Sequence, residues 1–99
     1  MKRIIAANLF RGIESVGGKL HFNEREMVFE SHALNVQTGD AVIVYTDVAS
    51  VTKRNTLGFV PNGILVTLKN NIEYKFVIWN RNEIISFIET KLKIDRETV

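Results

Sequence analysis

The feature that most limits what this chain can fold into is a change of hydrophobic period at Asn80. Before it, short runs alternate apolar and polar residues with period 2; after it, apolar residues recur at helical spacing. In residues 19–22, Leu20 and Phe22 share one face while Lys19 and His21 share the other; Met27 and Phe29 likewise oppose Val28 and Glu30. Residues 42–46 are apolar on both faces, the pattern of a strand covered from two sides. The runs 64–68 and 73–78 flank Asn70-Asn71, and because Asn tolerates positive φ this spacing predicts a tight hairpin. Residues 3–12 and 48–53 complete a set of seven strands. Further turn candidates are Gly17-Gly18, Asn23-Glu24-Arg25, Gly39-Asp40 and Asn62-Gly63. Seven strands at this spacing make a sandwich or small barrel. Val48-Ala49-Ser50-Val51 breaks the alternation, so a β-bulge is expected there.

Beyond Asn80, Ile84, Ile85, Phe87, Ile88 and Leu92 lie in one stripe of a helix, opposite Asn82, Glu89 and Lys93. Asn80 suits the N-cap and Glu83 falls three residues on, a variant of the capping box. Trp79 and Ile84 occupy the two positions of a hydrophobic staple. Lys91 and Lys93 suit the negative end of the helix dipole. This helix is expected to plug the open end of a bent antiparallel sheet. The expected organisation is one domain over residues 1–95 with a frayed tail at 96–99.

Composition bounds the rest. A chain of 99 residues allows one domain, and 45% hydrophobic content is too high for disorder. The absence of cysteine excludes disulfides, thiolate metal sites and a cysteine nucleophile, and fits a reducing cytoplasm. Thirteen bases against eleven acids leave +2, too little to imply nucleic acid. The apolar N-terminal run breaks at Asn8 and Arg11 before a signal peptide could form. No stretch approaches the ~20 apolar residues of a membrane span.

The segment Val16-Gly17-Gly18-Lys19-Leu20-His21-Phe22-Asn23, followed by Arg25-Glu26-Met27-Val28-Phe29-Glu30-Ser31-His32, resembles the opening hairpins of a GRAM domain. Asp47-Val48-Ala49-Ser50-Val51 is similar to that family's Asp-Ile-x-x-Val element, and residues 53–64 resemble its small stand-alone bacterial type. The resemblance spans roughly residues 8–90. It implies a pleckstrin-homology-like (PH-like) fold: a mainly β barrel of about seven antiparallel strands in two near-orthogonal sheets, capped by a C-terminal helix. His21 stands where the family has Tyr, Asn23 near its usual Thr, and Glu26 interrupts its Arg-Leu pair, so no ligand residue is carried across.

For function, residues 53–63 are the most informative. Lys53 and Arg54 precede a loop with Leu57, Phe59, Val60 and Pro61, with Asn55 and Thr56 between. A basic pair beside apolar loop residues suits an anionic bilayer, at ~1 kcal/mol per cation near the surface. It equally suits a protein partner or a second copy, and the loop's apolar residues could instead fold back into the core. A polyphosphate pocket would need several cations in the first hairpin loop, placed at residues 14–18, where only Glu14 is charged. Leu34 and Val36 in the 32–40 connection read as packing, and a sheet edge is a further place for a peptide or a second copy to pair.

Catalysis is not indicated. Ser31 and His32 are strand neighbours facing opposite ways, and His21 and His32 have no metal-ligand spacing. Trp79, Phe76 and Tyr74 read as core and staple, not a base-stacking platform. The expectation is therefore a non-catalytic binding module without metal or cofactor, cytoplasmic or peripheral at the inner face of the membrane. Its site would be Lys53, Arg54, Asn55, Thr56, Leu57, Phe59, Val60 and Pro61.

Overall fold

In a computed structural model, which describes residues 3–11, 14–32, 41–56 and 60–97, the period-2 runs become seven antiparallel strands and the 3.6-period run one helix. The strands are β1 (Arg3–Arg11), β2 (Glu14–Phe22), β3 (Glu26–Ser31), β4 (Ala41–Val44), β5 (Val48–Thr56), β6 (Val60–Leu68) and β7 (Glu73–Ile78). A 3-10 turn, Tyr45–Asp47, joins β4 to β5, and α1 (Arg81–Glu97) closes the chain. The order β4-β3-β2-β1-β7-β6-β5 is the expected seven-stranded PH-like arrangement, its strands joined in one continuous curled sheet, a half-barrel. β1 is the reason: it pairs with β2 along its whole length and with β7 through residues 7–10, so it belongs to both halves.

The curl is tight enough for three residues to cross between the halves. The Tyr45 amide donates to the Arg25 carbonyl at the β2–β3 turn, while the Asp47 carbonyl accepts from the Lys69 amide at the β6–β7 turn, at 3.0 and 2.8 Å. Inward-facing Leu9, Leu20, Phe22, Phe29, Ile43, Val66 and Phe76 fill the interior, and no polar or charged residue is buried among the described residues. The helix adds Ile84, Ile85, Ile88 and Leu92 to that core and packs on β5, β6 and the 3-10 turn. Phe87 meets Phe22 edge-on, 5.4 Å between ring centroids. Each fully buried side chain of this size contributes about 1.5–3 kcal/mol before entropy.

Local chemistry explains several boundaries. Asn71 has φ 73°; the Leu68 amide donates to the Ile72 carbonyl and the Asn71 amide to the Leu68 carbonyl, a three-residue hairpin with its left-handed residue supplied by Asn. Asn23 Oδ1 accepts from the amides of Arg25 and Glu26, fixing the β2–β3 turn. The register slips between Val48 and Ser50, so Ala49 is the expected bulge.

Four expectations need correction. Gly17-Gly18 and Asn62-Gly63 lie inside β2 and β6, not in turns. A Cβ on Gly18 or Gly63 would overlap the carbonyl oxygen of Glu30 or Arg54, so these glycines serve close strand approach. β4 stops at Val44 and is an edge strand, with Val42 58% exposed instead of covered on both faces. Ile84 is buried but Trp79 is 82% exposed, so no staple joins them and Trp79 is not core. Glu83 does not complete a capping box; its carboxylate pairs with Arg3. The helix runs through Glu97. The Gly39-Asp40 turn, Leu34 and Val36 lie outside the described residues.

Candidate functional site

Because adjacent strands alternate direction, the end of β5, the start of β6 and the start of α1 share one end of the β7-β6-β5 half of the sheet. The β6–β7 turn lies at the other end of that half. The basic residues singled out in the sequence sit at the helix end, near the tip of β5. Here the strand geometry divides them. Val51 faces the core, so by alternation Lys53 and Asn55 continue on the inner, helix side while Arg54 faces outward. Lys53 and Asn55 are exposed; Arg54 is half-buried, its guanidinium 5.8 Å from the centre of the Phe10 ring. That side chain lies along the outer face of the sheet, where its cross-strand neighbour is Gly63, which has no side chain to obstruct it.

A third cation joins them from the helix. Arg81 Nη1 donates to the Arg54 carbonyl at 3.3 Å and to Asn55 Oδ1 at 3.0 Å. This ties the first residue of α1 to the end of β5 and occupies a carbonyl on the sheet's edge strand. Arg81 was missed in the sequence because it lies 26 positions from Asn55 and only the fold brings the two together. The acid nearest along the helix, Glu83, is paired with Arg3.

The expected loop is shorter than its sequence suggested. Lys53, Arg54, Asn55 and Thr56 belong to β5, and Val60 and Pro61 to β6. The pairs Arg54↔Gly63 and Thr56↔Val60 leave an extra residue on β6, a second bulge where the missing N–H of Pro61 is tolerated. Leu57 and Phe59 lie outside the described residues, as do the side chains of Thr56, Val60 and Pro61.

On the outer face beside Gly63 lies a cleft of about 220 Å³, lined by Ala6, Ala7, Val77 and Ile78 together with Asn8, Asn62 and Trp79. Trp79 follows the last residue of β7 and is the most exposed large apolar residue among those described. Two strand positions before Ala6 on the same face is Ile4, 59% exposed.

β1 and β2 stay paired as far as Arg11↔Glu14, so residues 14–18, expected as the first hairpin loop, are strand. His32 is exposed, while His21 is half-buried with Nε2 3.7 Å from Glu30 Oε1. Among the described residues no group of three or more His, Asp or Glu is placed to hold a metal ion, and no helix is long and apolar enough to cross a membrane.

No protein-family model matches the chain and no curated protein matches it in sequence. Its likeness is structural. The C-terminal domain of an unknown protein from Leishmania infantum superposes with a TM-score of 0.79 at 16% identity, covering 91% of this chain and 81% of that one. The N-terminal PH domain of human ARAP2 gives 0.72 at 14% identity, covering 95% and 81%. A seven-stranded curled sheet closed by one helix, superposing on a PH domain over 95% of the chain, is the PH-like fold.

Proposed function

We propose that this chain is a non-catalytic PH-like binding module of the GRAM type that associates peripherally with anionic membrane, at the inner face of the cytoplasmic membrane. The observation that carries this reading is the cation group Lys53, Arg54 and Arg81 at one corner of the sheet, with the neighbouring acid Glu83 occupied by Arg3. The sequence from Lys53 to Ile72 contains no acid. A closed apolar interior supports the same reading, since it leaves the surface as the place for a ligand. Lys53, Arg54, Asn55 and Thr56 would meet head groups, and Leu57, Phe59, Val60 and Pro61 the acyl boundary.

Co-sedimentation with phosphatidylglycerol-containing vesicles tests it, with pure phosphatidylcholine as control. Binding is expected to the former alone and to weaken with salt. Lys53→Ala/Arg54→Ala should reduce partitioning by roughly thirty-fold at low salt, from two cations at ~1 kcal/mol each. Absence of binding at low salt overturns the reading.

A second reading has one observation in its favour. β4 is hydrogen-bonded on one side only and presents Val42 outward, so this edge suits pairing with a protein partner or a second copy. Mass that rises with concentration in light scattering, and falls back in Val42→Lys, would support it; a monomer throughout removes the self-association form.

A further inference from the structure

We propose that Trp79 is the anchor with which the domain enters a bilayer interface, so that docking occurs on the corner where β7 passes into α1. This rests on the membrane reading above and names a residue that reading does not contain. Three observations support it. First, Trp79 has no structural employment: it is 82% exposed at the place where a staple partner, the buried Ile84, was available. A large aromatic with an apolar body and one N–H donor is costly to leave in water and is well matched to the head-group region. Second, small and apolar residues adjoin it: Ala6, Ala7 and Val77 line the cleft with Trp79, beside the uncharged Asn8 and Asn62, with exposed Ile4 further along β1.

Third, the charge is of the right sign and in the right place. Asn62, at the cleft wall, is the neighbour of Gly63, and Gly63 pairs with Arg54 on one side and Val77 on the other. Arg54 and the cleft thus share the outer face, while Lys53 and Arg81 turn around the same corner. Cations flanking an exposed tryptophan complement an anionic bilayer, whose phosphates take the charges while the indole sits at the carbonyl level. Docking through the basic tip alone would leave Trp79 in water; docking through the corner uses both.

Trp79 is the sole tryptophan in the chain, so its fluorescence reports on this residue alone. Phosphatidylglycerol-containing vesicles should shift its emission to the blue, and the same vesicles with brominated acyl chains should quench it. Trp79→Ala, whose exposure makes it compatible with an unchanged circular dichroism spectrum, should lose roughly ten-fold in vesicle partitioning, as expected from withdrawing part of one large side chain. If the protein sediments with anionic vesicles while its emission neither shifts nor is quenched, the anchor is disproved and the basic-tip reading survives. If it does not sediment, both fall. If the emission shifts with protein concentration in the absence of vesicles, Trp79 meets a second copy and the anchor is again disproved.

Discussion

Gly17 and Gly18 are neighbours in β2, yet the sheet imposes different demands on them. A Cβ at Gly18 would overlap the Glu30 carbonyl and lie 2.8 Å from Phe29 Cζ, a contact with backbone and packed core that neither can relieve. At Gly17 the nearest atom would be Asn8 Oδ1 at 3.5 Å, an ordinary contact with a mobile side chain. Gly18→Ala should therefore destabilise the domain by about 2–3 kcal/mol, the range of an overpacked core. Gly17→Ala should be neutral or stabilising by roughly 0.5 kcal/mol, because it narrows the unfolded ensemble. Urea denaturation of the two variants checks both, and equal losses would refute the distinction. The same pair shows why sequence alone misplaced a turn here. Glycine marks both turns and close strand approaches, and only the register, Gly18 opposite Ser31, separates them.

At the scale of elements, the strands and helix were legible because burial follows period. Leu20, Phe22, Met27, Phe29, Ile84 and Ile88 all face the core as their spacing required. What was not legible was how elements join. The step from β7 to α1 was read as a side-chain cap at Asn80 with a staple behind it, but Asn80 has φ 56° and the first helical bond runs from the Ile84 amide to its carbonyl. A left-handed backbone lets the chain turn sharply out of the sheet, and that turn sends Trp79 outward while Glu83 reaches Arg3. Asn is tolerated there for its conformation. Asn80→Gly should hence retain or gain stability, whereas Asn80→Ser, an equally good cap but a poor left-handed residue, should lose about 1 kcal/mol. Thermal unfolding with the order reversed, Ser above Gly, would restore the side-chain cap.

For the molecule as a whole, total charge says little and its distribution much. The site residues Lys53 and Arg54 were visible as a pair, but a strand turns such neighbours to opposite faces, and their third member, Arg81, comes from the far end of the sequence. Lys69, by contrast, stands exposed on the β6–β7 turn, at the opposite end of β6 from the Arg54↔Gly63 pair. Lys53 pairs with Ile64, and Lys69 lies five residues further on, just past the end of β6, roughly 16 Å at ~3.3 Å per residue and beyond the ~10 Å over which salt screens a charge at 0.1 M. A bilayer held at one end will therefore scarcely feel a charge at the other. Replacing one Lys by Glu subtracts two from the formal +2, so Lys53→Glu and Lys69→Glu both give a net charge of zero. If docking uses the β7–α1 corner, Lys53→Glu should weaken binding to phosphatidylglycerol vesicles by roughly thirty-fold or more, from two units of charge at ~1 kcal/mol each. Lys69→Glu should change it by less than about three-fold at the same ionic strength. Equal losses in the two variants would mean that only net charge matters, and that the molecule has no preferred docking end.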